Sequence, residues 1–269
     1  MRIDIADADA PEVAAYMGLR DHAGRQRRES AGGDMAGSFM AEGDVVIERA
    51  LRAGMHLQSV LVDARRTSLV VGVGESVPLL CASPAVLQAV CGRPKLRDPI
   101  ARFTRPAAVD PAVLLERSST VVVLEGIVNP TNMGVITRCA AGLGIDAVLL
   151  DPTSCDPLYR RAVRVSMGEV FAIPHARLAA FADGLSVVRD HGYTLAALTP
   201  DPAAAAIGEL RRSPGDRLAI VIGTEGPGLT AATLAAADTR LRIQMAAEVD
   251  SINVGTAAAV AFYALRQVR

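Results

Sequence analysis

The chain has no tryptophan, and aromatic residues make up 3% of its 269 positions. That scarcity argues against an RNA-recognition module built by stacking bases on aromatic rings. Cysteine and histidine are thin as well, at four each, and they are scattered: Cys81, Cys91, Cys139 and Cys155; His22, His56, His175 and His191. No CxxC pair occurs. A structural zinc site needs about four convergent ligands at short spacing, so no metal is expected and the thiols read as free, mostly buried side chains. Long apolar runs are missing too. None reaches the roughly 18 residues of a membrane span, and the longest candidate, 252–265, is broken by Asn253, Gly255 and Thr256 and reads as a buried helix. The opening MRIDIADADAPE is acidic and lacks the apolar core of a signal peptide, so a cytoplasmic location is expected. Lysine is nearly absent: Lys95 is the only one, leaving 27 arginines. Arginine forks suit phosphate and guanine edges, although a biased genome gives the same picture and weighs more. A net charge of −1 argues against a general basic nucleic-acid binder.

What is present is core. With 51% hydrophobic and 21% charged residues, the chain can fill one large domain or two modest ones. Residues 1–35 read as an irregular, helix-prone entry containing the polar, glycine-rich RDHAGRQRRESAGGDMAG. From about 38 the pattern sharpens: a strand at FMAE, a helix over 44–53 with Gly54 closing it, strands at 59–63 and 68–72, and a helix over 84–90. This alternation predicts a small α/β domain within 1–105. A proline-bearing connection follows at 106–117. Beyond it, strands are expected at 120–124, 147–150, 193–198, 218–222 and 240–244, with helices over 132–143, 178–191, 230–236 and 252–269. Continuous apolar strands such as TVVVL and LAIVI fit a parallel sheet covered on both faces.

Three polar segments, the first two glycine-bearing, follow predicted strands: LEGIVNPTNMGVITR from Leu124, IGTEGPGL from Ile222, and IQMAAEVDSINV from Ile243. In an open parallel sheet, ligands sit beyond the carboxyl ends of the strands, where such loops gather. Each alone reads as a structural loop; their joint occurrence in this order is informative. GTEGPG is no phosphate loop, because no Gly-Lys-Ser/Thr follows. Its glycines fall at positions one, four and six, not at the one, three and six of a dinucleotide fingerprint.

Together these segments resemble the SpoU (TrmH-like) family of RNA 2′-O-ribose methyltransferases, of the trefoil-knotted SPOUT class. Asn132, Gly134 and Arg138 match the family's first motif. Gly223, Glu225, Gly226 and Gly228 match its second; Ile243, Met245, Ser251, Asn253 and Val254 match its third. The resemblance covers about 118–269. A weaker one, over FMAEGDVVIERALRAG and SVLV, points to the L30e-like substrate-binding domain common in this family. There are departures: Gln244 for a usual proline, Ala247 for a frequent glycine, Ile252 for leucine, and Gly255 for a frequent serine. The resemblance implies a knotted methyltransferase domain, where the sequence pattern alone predicts an ordinary open α/β sheet. It also implies S-adenosylmethionine as cofactor, RNA as substrate (ribosomal first, transfer RNA second) and a homodimer.

The implied cofactor contacts are Gly223, Gly226, Gly228, Ile243, Met245 and Ile252, glycines admitting the backbone and isoleucines giving apolar walls. Arg138 is the implied catalytic arginine. Since guanidinium is essentially never deprotonated, a clamp on phosphate and a stabiliser of developing alkoxide suit it better than a general base. A salt-bridged surface arginine is the plain alternative. Asn132 and Asn253 could hold the ribose or fix loop geometry, and Asn132 could equally cap a helix. Glu225 could orient Arg138 or accept a hydrogen bond from cofactor or ribose, or be a plain surface carboxylate. Ser251 could bond phosphate or ribose, or cap the last helix. Arg25, Arg27 and Arg28 are candidates for RNA phosphate contacts, against the reading of a solvated charged loop. Two rival functions stay open: RNA base methylation, and an RNA-binding protein that has kept the fold and lost catalysis.

Overall fold

Burial of the apolar strands divides the chain into two units, 1–107 with 158–168, and 108–157 with 169–269. The computed structural model describes residues 1–19, 22–29, 32–68, 70, 72–179, 181–246 and 249–266.

The first unit holds β1 (Arg2–Ile5), α1 (His22–Glu29), β2 (Ser38–Glu42), α2 (Asp44–Arg52), β3 (Leu57–Asp63), β4 (Leu79–Ala82), α3 (Pro84–Cys91) and β5 (Ile100–Thr104). The sheet runs β1-β4-β3-β5-β2, with β1, β4 and β3 parallel and β5 antiparallel to both neighbours. β2 lies entirely buried. α3 starts where Ser83 Oγ accepts the Val86 N–H and ends at Gly92, whose φ of 68° suits glycine. The sequence reading missed β1: RIDI is a half-charged edge strand whose register is supplied by β4 rather than by its own pattern. The strand expected at 68–72 is not formed by the described residues there; LLCA at 79–82 takes that role.

The second unit begins earlier than expected. α4 (Pro111–Arg117), capped by Asp110, buries Leu114 and Leu115, and the buried Tyr193 hydroxyl donates to Ser118 O at 2.6 Å. The second half of the expected connection is therefore part of this core. Then come β6 (Thr120–Glu125), α5 (Pro130–Gly142), β7 (Ala147–Leu150), α6 (Arg160–Val165), β8 (His175–Arg177), α7 (Phe181–Asp190), β9 (Tyr193–Leu198), β10 (Ala205–Ala206), β11 (Arg217–Gly223), α8 (Ala231–Ala236), β12 (Thr239–Arg242) and α9 (Val254–Leu265). α6 is the exception, since 158–168 packs with the first unit. The sheet, β10-β12-β9-β11-β6-β7-β8, is parallel at every pairing. Its centre is fully apolar: the first five residues of β6 and the last six of β11 are buried, as a sheet covered on both faces requires. α5 packs against α9. A Cβ on Gly255 would meet Val135 Cγ1 at 2.7 Å, so glycine lets the start of α9 lie directly on α5. No helix among the described residues is long and apolar enough to cross a membrane.

Candidate active site

Beyond the carboxyl ends of β9, β11 and β12 lies a cavity of about 810 Å³. Its walls include every expected cofactor contact, namely Gly223, Gly226, Gly228, Ile243, Met245 and Ile252, and also Glu225, Ser251 and Asn253. β12 stops at Arg242, two residues before the expected end, because the chain leaves the sheet to line this cavity. Ala247 lies outside the described residues, and Gln244 is exposed and off the wall.

The loop after β11 is shaped by its glycines. Thr224 bridges to Gly228, folding the loop back on its own start. A Cβ on Gly223 would come within 2.4 Å of Gly228 C and Leu229 N, so no other residue fits. Gly226 and Gly228 take φ of 83° and 71°, in the left-handed region that favours glycine. The sequence reading gave Gly223 the task of admitting a ligand; its first task is to admit its own loop.

One side chain joins the three motifs. Asn253 Nδ2 donates to Asn132 Oδ1 at 3.1 Å and to Glu225 Oε1 at 2.5 Å. Asn253 Oδ1 meanwhile accepts from the Gly255 and Thr256 amides at 2.9 and 3.3 Å, capping α9. Both donor hydrogens and the acceptor oxygen are thereby committed. Two alternatives are thus corrected. The cap of α9 is Asn253 and not Ser251, which is exposed. The cap of α5 is Asn129, whose Oδ1 accepts the Thr131 N–H at 2.9 Å, while Asn132 sits buried in the first turn.

Arg138 lies further along α5, exposed, hydrogen-bonded to no described residue and off the cavity wall. Glu225 therefore pairs with Asn253, and no bond to Arg138 orients either one. The RNA candidates fare unevenly. Arg28 is committed to its own unit, with Nε 3.0 Å and Nη2 2.7 Å from Asp34 carboxylate oxygens and Nη1 on Met17 O at 3.1 Å. Arg27 is exposed, and the Arg25 side chain lies outside the described residues.

Sequence reasoning missed the supports. Glu125, closing β6, accepts from the Thr230 amide at 3.1 Å, Thr230 Oγ1 at 2.9 Å and Thr233 Oγ1 at 3.0 Å, tying the far end of the second motif to the strand that precedes the first. Asp151 receives the Ser154 amide at 2.7 Å, and Ser154 Oγ accepts from the Ile127 amide at 3.0 Å. Burial pushes the Asp151 carboxyl upward, but hydrogen bonds from Ser154, Thr153 and the Gly126 amide outweigh it, so its pKa lies below the usual value. Leu198 and Thr199, on the remaining wall, were readable in principle, since they close and follow a predicted strand. Among the described residues no group of three or more His, Cys, Asp or Glu side chains converges as a metal site.

Residues 119–263 match the model of the SpoU rRNA Methylase family. The chain belongs to that family. An uncharacterised tRNA/rRNA methyltransferase of Mycobacterium tuberculosis is 38% identical over 265 residues, covering 97% of this chain and 90% of the relative. The crystal structure of an RNA 2′-O ribose methyltransferase is similar at 29% identity and TM-score 0.72, covering 98% of this chain and 97% of that one. An AdoMet-bound rRNA methyltransferase from Sinorhizobium meliloti shares the fold at 23% identity and TM-score 0.79, covering 98% and 97%. Family membership makes the chain an RNA methyltransferase, and the α/β architecture with its parallel sheet agrees with these structures.

Proposed function

We propose that the chain methylates a ribose 2′-hydroxyl of RNA, ribosomal RNA before transfer RNA, as a homodimer whose C-terminal segment is knotted. S-adenosylmethionine is the cofactor. The cavity fits it: a loop with no side chain at Gly223, Gly226 or Gly228 leaves backbone exposed, and Ile243 and Ile252 add apolar wall beside the Glu225 carboxylate. When bound, the cofactor supplies a methyl group on a sulfonium, open to in-line displacement by an oxygen nucleophile.

The observation that carries the reading is the Asn132–Asn253–Glu225 junction at the cavity. It fixes the Glu225 carboxylate and the Asn253 amide on the cavity wall, with the buried Asn132 behind them. The Glu225 carboxylate, held by Asn253, keeps acceptor capacity for a sugar hydroxyl, while the exposed Ser251 adds a hydroxyl that can donate to the ribose or its phosphate. Arg138 is left free to bind the neighbouring phosphate and to stabilise charge developing on the attacking oxygen. Its distance from the cavity wall is met if a second copy presents it. The exposed Val260 and Tyr263 on α9 offer an apolar face for such a copy.

Among the described residues neither His nor Lys lines the cavity to activate a base nitrogen, which favours ribose over base methylation. The intact junction favours a catalyst over a non-catalytic RNA binder. The test is mass spectrometry of nuclease-digested RNA after labelling. The methyl is expected on a ribose and lost when the target carries one 2′-deoxy substitution; a methyl on the base refutes the proposal. Sedimentation should show a dimer, and a single-chain mass at every concentration would refute the assembly.

A further inference from the structure

Three carboxylates of the first unit hold an excess of cations, and the excess faces outward. Glu42, only 3% exposed, is shared by Arg93, Arg160 and Arg164: Arg164 Nη1 reaches its Oε1 at 2.7 Å, Arg93 Nη2 the same oxygen at 3.5 Å, and Arg160 Nη1 the other. Asp63, 5% exposed, pairs with Arg65 at 2.6 Å. Asp98 lies 4.0 Å from Arg164 Nη2. Between Arg93 and Asp98 runs the loop RPKLRD, with Lys95, the only lysine of the chain, and Arg97 both exposed and bonded to no described residue. Arg65 joins this loop by donating to Pro94 O at 3.3 Å.

Four cations (Arg65, Arg93, Arg160, Arg164) therefore pair with three carboxylates, and Lys95 and Arg97 add two charges bonded to no described residue, on a chain whose net charge is −1. Two of those carboxylates lie beneath the surface, whereas Arg65, Lys95, Arg97 and Arg164 are exposed. The buried anions anchor the guanidinium groups and offset part of their charge, leaving six positive charges against three negative ones. Such a surface has the character of a phosphate-backbone contact, where several separated positive charges meet a chain of negative ones.

We propose that the loop 93–98, with Arg65 and Arg164, is the surface on which the first unit holds the phosphate backbone of the RNA substrate. The proposal rests on the RNA-methylating function above. It assigns the contact to residues other than those of the 25–28 segment, where Arg28 is already bound to Asp34.

The test is fluorescence anisotropy of the full chain with a labelled RNA hairpin across a salt series. Phosphate contacts are indifferent to sequence, so the hairpin reports on them. The double variant Lys95→Ala/Arg97→Ala should bind several-fold more weakly at physiological salt. Its salt slope should fall by about 2, roughly 0.9 for each phosphate contact removed. Its S-adenosylmethionine affinity, measured by calorimetry, should equal that of the unaltered chain, which also shows that it folds. A charge-matched control in the second unit, Arg117→Ala/Arg240→Ala, should keep the original slope. An unchanged slope in the loop variant, or an equal fall in both variants, overturns the proposal while leaving the methyltransferase reading in place. Failure of the unaltered chain to bind any RNA overturns both.

Discussion

Asn253 donates its side-chain amide to Asn132 across 121 residues of sequence, at 3.1 Å, while the same side chain caps α9. Stability and site geometry thus meet in one residue, and they can be separated. Asn253→Ala removes the cap as well as the junction. It should destabilise the chain by about 0.5–2 kcal/mol and nearly abolish methyl transfer. Asn253→Ser keeps a capping oxygen but no amide to donate, so its melting temperature should stay near the original while transfer is still lost. A serine variant with normal turnover would remove the junction from the mechanism.

Gly223 has no room for a methyl group, with loop backbone 2.4 Å from an ideal Cβ. Gly223→Ala should force the 223–229 loop open and weaken S-adenosylmethionine binding by more than about tenfold, equivalent to about 1.4 kcal/mol. Gly226→Ala meets no atom within 4 Å and bears only the strain of a positive φ, so it should bind better than the first variant. Calorimetry on the two variants decides; the reverse order would refute the steric account.

Arg138 is exposed and hydrogen-bonded to no described residue. Arg138→Ala should leave thermal stability unchanged and cofactor affinity within a few-fold, yet slow methyl transfer by about 10²–10³. Single-turnover assays at saturating RNA are the measurement, and a near-normal rate would strike Arg138 from the mechanism.

Asp63 supplies a pH signature. The hydrogen bond from Arg65 lowers its pKa to about 2 against the opposing effect of burial, with the Arg65 backbone amide and charge assisting. A depressed carboxylate pKa contributes stability that is present above its unfolded value near 4 and is lost as pH falls through about 2. In urea unfolding at a series of pH values, the unaltered chain should exceed Asp63→Asn most at pH 5 and above, and the gap should close between pH 4 and 2. A gap independent of pH would show that the pair acts through packing alone.

The second unit was largely legible because its central strands are continuous apolar runs of strand length, and its three motifs follow strands predicted from composition. Gly223, Glu225, Ile243, Ser251, Ile252 and Asn253 were all named through the family resemblance of those motifs, and the fold gathers them on one cavity. The margins were less legible. β1 and β8 are short edge strands, and α6 is a six-residue helix rich in arginine; each takes its place from partners distant in sequence, such as Glu42 for α6.

The sequence by itself determined the alternation of apolar strands and helices, and which glycine and polar residues the three motifs carry. Those properties are local, set by side-chain volume, polarity and backbone freedom over a few neighbouring positions. Only the tertiary structure decided that Asn129 caps α5 while Asn253 both caps α9 and bridges, that Gly223 makes room for its own loop, and that Arg28 is committed to Asp34 while Lys95 and Arg97 stay exposed and bonded to no described residue. The physical reason is that a hydrogen bond or a steric clearance belongs to a pair of groups. The pair exists only once the chain has folded, whether its members lie 121 residues apart, as Asn132 and Asn253 do, or six, as Arg28 and Asp34 do.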